Sequence, residues 1–437
     1  MIEQEIERKI QDFRSTGIPQ YIPRAGRVVM VDHMVSTVIG GRRTGKSFRI
    51  LQAADELIRG RRIIKSPNQI CYLDFDNPIL SSMQAKDLKL IQTTFLKMNP
   101  DMDIGTGAVF LLDEIHKILG WEDYVIDLSR NAAWKVIVTG SSSKLLRQDV
   151  ATELRGKAVS SEVYPLSFRE YLTFKQFRHP PASTKGMAEA QRLFDAYLRS
   201  GGYPALVNLD DYAATAVLRE YFDTMILKDV IQRYDISKPR QCIHLYRYLL
   251  SNIGKPFTLQ SLHRFLKQAG FATSRDTLRD LVGWAADSWL IFSVPLYSDS
   301  VKEQDRNYKK LYAIDWALAA ANSSVWDGSL SRSLENMVFL HLHRQSHRVH
   351  YYLTKSKRQE VDFIAVDGNG HPAAALQVCL DVAHDRTMNR EMEPLISAAK
   401  YFGIKNNYII TRSFENSIKV DGVNVKILPA WKWMMEE

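Results

Sequence analysis

The sequence is poor in cysteine, and its three cysteines lie far apart in the chain. Cys71, Cys242 and Cys379 form neither the close pairs of a metal cluster nor the framework of a disulfide-rich domain. So few cysteines among 437 residues are typical of proteins that fold in a reducing compartment. We therefore expect a cytoplasmic location and no cysteine-based metal site.

Long apolar runs are also missing. No stretch of about 18 apolar residues occurs, so we expect no membrane-spanning helix and no membrane partner. The opening residues, MIEQEIERKI, lack the apolar core of a secretory signal. What the chain does have is a formal net charge of +9. A basic balance favours contact with nucleic acid or other phosphate-rich partners, although a generic basic protein would share it.

One stretch carries most of the chemical information. An apolar run at 35–39 leads into GGRRTGKS at 40–47, and a helical pattern follows. This is G-x-x-x-x-G-K-[ST] between a strand and a helix, which predicts a loop whose backbone N–H groups cradle phosphates. Lys46 would supply charge to the β and γ phosphates, and the Ser47 hydroxyl would ligate Mg²⁺. The residues expected to bind the nucleotide are Gly40, Gly41, Arg42, Arg43, Thr44, Gly45, Lys46, Ser47 and Phe48.

A second stretch, at 108–114, reads as a buried strand that ends in two acids. In a parallel sheet such a tip faces the ligand. Asp113 would hold Mg²⁺ and Glu114 would orient and polarise the attacking water, so we expect ATP and Mg²⁺ as cofactors. A third apolar run, at 135–141, ends in hydroxyls. Thr139, Ser141 or both would sense the γ phosphate, or would simply cap the next helix.

Six segments together resemble a bacterial and archaeal family of AAA+ ATPases: GGRRTGKS, FLLDEIHK, VTGSSSKLL, LRGK, YPLSFREYL and GGYPALV. The resemblance implies an α/β fold with a P-loop AAA+ domain, a helical lid, a winged helix and a restriction-endonuclease-like end. We place these at 1–165, 166–237, 238–322 and 323–437. The segment before YPLSF departs from the family, which usually has arginine where Lys157 stands. Arg155 is the candidate arginine finger, and a solvated basic turn is the alternative.

The pattern of residues 238–322 by itself predicts a winged helix, with three amphipathic helices and two strands. Arg275 and Arg279 lie one turn apart at the start of the third helix, where a recognition helix meets DNA. They are our nucleic-acid candidates. The alternative is a winged helix used only for packing.

At the C-terminal end, Glu335 and Asp362 match the first two acids of a PD-(D/E)xK nuclease, on a helix and a strand. Gln377 matches the third position, but Cys379 stands where lysine is expected. We therefore predict a degenerate nuclease-like domain that binds nucleic acid or is structural. The histidines nearby are better interpreted as a polar helix face than as a zinc site: His341, His343, His347 and His350.

The sequence thus predicts a Mg²⁺-dependent ATPase coupled to DNA, RNA or a protein partner. Two alternatives stay open. One is a nucleotide-controlled interaction switch with slow turnover, and the other is an ATP-gated nuclease that acts on foreign DNA. The partner, the oligomeric state and the work that hydrolysis drives are left open.

Overall fold

The protein is described here from a computed structural model. The residues that it describes are 1–60, 63–102, 105–140, 154, 156–180, 183–298, 300–323, 330–345, 347–382 and 385–436. They divide into two compact units, Met1–Tyr164 and Pro165–Glu437, and each is described by itself. The predicted finer division of the second unit into three modules stays a prediction.

The first unit is built on a parallel sheet. Its strands are β1 (Val35–Ile39), β2 (Ile70–Asp74), β3 (Ala108–Asp113), β4 (Trp134–Gly140) and β5 (Ala158–Glu162), in the order β2-β3-β4-β1-β5. Every residue of β1, β3 and β4 is buried. Strands covered on both faces read as continuous apolar runs, which is why the sequence showed them clearly. The predicted α/β fold with a parallel sheet is confirmed for this unit.

Helices cover this sheet: α1 (Ile2–Thr16), α2 (Lys46–Gly60), α3 (Lys89–Lys97) and α4 (Glu122–Leu128). The apolar residues of α1 recur at helical spacing, and Ile6, Ile10 and Phe13 are buried against α3 and β2. Helix α2 starts within the glycine-rich loop and buries Ile50, Ala53 and Ala54 in the main core. The loop is therefore held between a buried strand and a buried helix.

The second unit begins with helices and a small antiparallel sheet. Helices α5 to α7 are followed by a π-helical turn, and then α8, α9 and α10 pack beside three short strands whose order is β6-β8-β7. The predicted strands at 290–294 and 310–314 agree with β7 and β8 to within a residue. The bounds are α5 (Phe168–Phe174), α6 (Thr184–Ser200), α7 (Asp211–Met225), the turn Ile226–Ile231, α8 (Pro239–Leu250), β6 (Pro256–Phe257), α9 (Leu259–Gln268), α10 (Arg275–Asp287), β7 (Ile291–Val294), α11 (Val301–Arg306), β8 (Lys309–Ala313) and α12 (Trp316–Asn322).

The rest of the second unit is a mixed sheet with the order β13-β14-β12-β11-β10-β9. Strands β9, β10 and β11 are antiparallel neighbours, and β12 runs parallel to β11 after a helical crossover. The bounds are α13 (Leu330–Arg344), β9 (Arg348–Leu353), β10 (Glu360–Val366), β11 (Pro372–Val378), α14 (Asp385–Phe402), β12 (Asn406–Thr411), β13 (Asn416–Val420), β14 (Val423–Pro429) and α15 (Ala430–Trp433).

A buried carboxylate explains the GGYP segment. Asp315 caps α12 by accepting a hydrogen bond from the Leu318 N–H at 2.9 Å, and it also accepts one from the Gly202 N–H at 2.7 Å. Burial raises the pKa of Asp315 to about 6, and the backbone donors oppose that shift. Gly201 has φ 75° and ψ −170°, a conformation essentially confined to glycine. The glycine pair therefore lets the chain pass against Asp315.

We predict that Gly201→Ala lowers stability far more than Gly270→Ala. A Cβ at Gly201 would lie 2.7 Å from Asp315 Oδ2 and 2.8 Å from the Cβ of Ala317. Gly270 also has positive φ, but no described atom lies within 4 Å of a Cβ built there. We expect a loss of about 1 kcal/mol at Gly270 and about 3 kcal/mol or more at Gly201 in denaturant unfolding. Equal losses of stability in the two variants would show that backbone strain alone, and not the contact with Asp315, makes glycine necessary at position 201.

Candidate active site

The glycine-rich loop lies at the carboxyl end of β1 and is tightly folded. Gly40 has φ 154°, and any Cβ there would overlap the carbonyl group of Val163. Gly45 has φ 99° and Arg43 φ 63°, so three residues of the loop have positive φ. The Thr44 hydroxyl donates to the Gly41 carbonyl at 2.9 Å. Steric constraint and internal hydrogen bonds therefore both fix the path of the loop.

Lys46 is buried and turned toward the loop itself. Its Nζ donates to the carbonyl oxygens of Gly40 and Gly41 at 3.1 and 3.0 Å, and it lies 3.9 Å from Glu114 Oε1. The other predicted loop residues differ in exposure, because Arg42 is half-buried while Arg43 and Phe48 are exposed. The lysine charge is thus held between the loop and the acid at the end of β3.

The two predicted Mg²⁺ ligands come together. Asp113 is buried at the end of β3 and accepts hydrogen bonds from the Thr139 hydroxyl and from Tyr72 at 3.3 Å, and the Ser47 hydroxyl lies beside it. Burial raises the pKa of Asp113, and the hydroxyls of Ser47 and Thr139 oppose the rise. A hydroxyl beside a carboxylate is the hard oxygen set that Mg²⁺ prefers. These residues therefore fit the ion that the sequence predicts.

Thr139 links the two acids. Its hydroxyl donates to Asp113 Oδ1 and accepts a hydrogen bond from the Glu114 N–H at 2.9 Å. Glu114 itself has φ 56°, an uncommon left-handed conformation for a residue that is not glycine. Its carboxylate lies 3.3 Å from His116 Nδ1. The structure therefore places Thr139 beside both acids, and its role as a sensor of the γ phosphate stays a prediction.

The remaining candidates of this unit lie elsewhere. Ser141 and Arg155 are outside the described residues. Lys157 is exposed, and its carbonyl accepts from the Val35 N–H at 2.9 Å. That contact is at the start of β1, whereas the glycine-rich loop follows its end, a strand length of roughly 13 Å away. Lys157 is therefore exposed and lies away from the glycine-rich loop of its own chain, and the choice between an arginine finger and a solvated basic turn at this segment stays open.

Sequence reasoning missed Arg24. Its guanidinium donates to the carbonyls of Thr44 and Tyr164, both at 2.8 Å. Its backbone N–H and carbonyl pair with the Gln52 side chain on α2 at 2.9 and 3.0 Å. An arginine next to a proline in a loop gives no sequence signal for such a role. Arg24 nevertheless fixes the outer side of the glycine-rich loop.

In the second unit, the three predicted nuclease-like residues do come together. Asp362 Oδ2 accepts from the Val378 N–H at 2.9 Å, and the Asp362 N–H donates to Gln377 Oε1 at 2.7 Å. Glu335 on α13 approaches the same place through a residue that the sequence analysis missed. The ammonium of Lys310, on β8, lies 2.7 Å from Glu335 and 3.2 Å from Asp362. Among the described residues, no group of three or more acids, histidines or cysteines is arranged to hold a metal ion.

The other singled-out residues of the second unit do not converge on a site. Burial lowers the pKa of His341 to about 3, and its ring packs against Trp433. The ring of His343 stacks on Phe339. His341 is therefore a buried packing residue, and the predicted polar helix face is wrong at this position. At the start of α10, Arg275 and Arg279 are both exposed, and Arg279 pairs with Asp276 at 3.0 Å.

A parallel sheet, a glycine-rich loop that opens a helix, and a buried acid on a nearby strand define a P-loop nucleotide-binding domain. Residues 32–172 match a family model described as an AAA domain. Residues 191–327 match a second model, described as a domain of unknown function.

Relatives of similar length are known but uncharacterised. The chain is 28% identical to an uncharacterised protein of Methanocaldococcus jannaschii over 95% of this chain and 91% of the relative. It is 26% identical to an uncharacterised protein of Haemophilus influenzae, over 91% and 94% respectively. Among solved structures, it is similar to a Walker-type ATPase of Pyrococcus abyssi, with 16% identity, a TM-score of 0.43, and 74% and 96% of the two chains covered.

In the part of the chain that the structure describes, no helix is both long and apolar enough to cross a membrane.

Proposed function

We propose that the first unit binds ATP together with Mg²⁺ and hydrolyses it to ADP and phosphate. One observation carries this proposal: the Thr139 hydroxyl donates to Asp113 and accepts from the backbone N–H of Glu114, and the Ser47 hydroxyl lies beside the same Asp113 carboxylate. The loop that would hold the phosphates is thereby connected to the acids that would act on them. Bound Mg²⁺ would neutralise charge on the phosphate oxygens.

Each residue of the candidate active site has a distinct task in this proposal. Lys46 exchanges the Gly40 and Gly41 carbonyls for phosphate oxygens, which bear more charge. Ser47 and Asp113 hold the ion. Glu114 orients water for in-line attack and accepts its proton, and Thr139 keeps the Glu114 backbone in its left-handed conformation. Catalysis of this kind depends mainly on positioning and charge neutralisation.

A second proposal concerns residues 238–322, which we propose to contact nucleic acid as a winged helix. Three helices packed beside a three-stranded antiparallel sheet support it. So do the exposed positions of Arg275 and Arg279 at the start of α10. The ion pair of Arg279 with Asp276 is exposed and weak, so it would yield to a phosphate. Hydrolysis in the first unit would then be coupled to a nucleic-acid or protein partner of the second.

We predict that Lys46→Ala weakens ATP binding strongly, because the phosphates lose a positioned charge. Glu114→Gln should bind ATP and turn it over about 10² to 10⁴ times more slowly, because an amide accepts no proton. Binding is measured with a fluorescent ATP analogue, and turnover by phosphate release. Lys97→Ala, at an exposed lysine of α3, is the control. Unchanged turnover in Glu114→Gln would refute the assigned base.

Thr139→Val should lower kcat with little effect on KM. Valine keeps the shape but loses the bonds to Asp113 and Glu114, and one lost hydrogen bond to a charged group is worth about 1.5 to 3 kcal/mol. That corresponds to roughly 10- to 100-fold in rate. Thr139→Ser keeps the hydroxyl and should restore most of the activity. A serine variant as slow as the valine variant would assign Thr139 to packing alone.

Replacing both Arg275 and Arg279 with alanine should weaken DNA binding and lower the slope of log affinity against log salt by about two. Fluorescence anisotropy of a labelled duplex at several salt concentrations measures this slope. Arg192→Ala with Arg199→Ala, at exposed positions of α6, removes the same charge from another helix. If both pairs change the slope equally, or if the parent binds no DNA, the proposed interface is wrong.

A further inference from the structure

The most unusual charge in the second unit is a buried ammonium. The Lys310 side chain is only 2% exposed, and its Nζ lies 2.7 Å from Glu335, 3.0 Å from Glu360 and 3.2 Å from Asp362. A buried lysine is costly unless carboxylates pair with it. Here three carboxylates from two elements converge on one nitrogen. Two of them, Glu335 and Asp362, belong to the cluster that resembles a nuclease site.

Other groups of the chain also contact these carboxylates. The Tyr312 hydroxyl donates at 2.7 Å to the same Glu335 oxygen that Lys310 contacts, and the Tyr308 hydroxyl donates to the second oxygen of Glu360 at 3.3 Å. The second oxygen of Asp362 accepts from the Val378 N–H. The amide oxygen of Gln377, the residue at the third nuclease-like position, accepts from the Asp362 backbone N–H. Each of the three carboxylates therefore has at least two partners within the chain.

The protonation state of Lys310 follows from these contacts. Burial lowers the pKa of Lys310, but the carboxylates of Glu335, Asp362 and Glu360 outweigh it and raise the pKa well above the ordinary value. Three carboxylates within 3.2 Å of the buried nitrogen favour its charged form. The distances of 2.7 to 3.2 Å are those of charged hydrogen bonds, whereas Mg²⁺ needs oxygens at about 2.1 Å.

We propose that the Lys310 ammonium replaces the divalent cation of a nuclease-like site and closes that site to metal. Lys310 reaches the acids from β8, outside the strands and helix that carry them. It therefore joins the small antiparallel sheet to α13 and β10 as an internal ion-pair clamp. The cluster does not cut nucleic acid with Mg²⁺ or Mn²⁺. A different interpretation, in which Lys310 is a relocated catalytic lysine beside a metal, makes the opposite prediction.

The test measures Mn²⁺ binding to the nucleotide-free, full-length protein by electron paramagnetic resonance. The parent and Asp362→Asn should bind the same number of ions, because the cluster contributes none. Lys310→Met removes the ammonium and leaves three carboxylates, so we expect one additional Mn²⁺ per chain. Adding Asp362→Asn to Lys310→Met should abolish that extra ion. Lys309→Met, at the half-buried neighbour on the opposite face of β8, should gain no ion.

The comparison of the parent protein with Asp362→Asn tests the proposal even if Lys310→Met fails to fold. An Mn²⁺ ion that the parent binds and Asp362→Asn loses would overturn the proposal. So would Mg²⁺- or Mn²⁺-dependent cleavage of plasmid DNA that disappears in Asp362→Asn. Equal binding by the two proteins, with no cleavage by either, supports it. None of these outcomes depends on ATP turnover in the first unit.

Discussion

Strand β4 separates the strand that leads into the glycine-rich loop from the strand that ends in the two acids, and the candidate site depends on this spacing. The loop and the acids come from strands that are not neighbours, so side chains must bridge them. Ser47 reaches across from α2, and Thr139 reaches from β4 itself. Because Thr139 binds both Asp113 and the backbone of Glu114, the two acids have a common support. Hydroxyls suit this position, since each one both donates and accepts.

Much of the first unit was predictable because its information is local. Buried parallel strands are apolar runs, and a phosphate-binding loop needs glycines and a lysine at fixed positions. Two features were not local. Arg24 donates to the carbonyls of Thr44 and Tyr164, which lie 20 and 140 residues further along the chain. No sequence pattern around Pro23 predicts these contacts. Lys157 is the last residue of the LRGK segment, yet the register of β1 and β5 places it at the amino end of the sheet, away from the loop.

In the second unit too, contacts between residues far apart in the sequence could not be predicted. The positions of helices and strands followed from periodicity and capping, and Glu335, Asp362 and Gln377 came from a resemblance. The burial of Lys310 was not predicted, because a Lys-Lys pair in a short strand is typical of an exposed edge strand. Its burial depends on Glu335 and Asp362, which lie 25 and 52 residues further along the chain. Only the folded chain shows that Lys310 lies among the acids of this cluster.

The position of Lys310 also bears on how this chain can be cut or recombined. Dividing the chain near residue 322, where the sequence suggests a module boundary, would give one fragment that carries Lys310 and another that carries its three acids, Glu335, Glu360 and Asp362. Neither fragment could offset these charges by itself, and each would also lose the paired hydrogen bonds between Asn336 and Ala313. Residues 238–322 are thus poorly suited to act as an interchangeable cassette. We expect β8 and the acids around it to be inherited, expressed and engineered as a single piece.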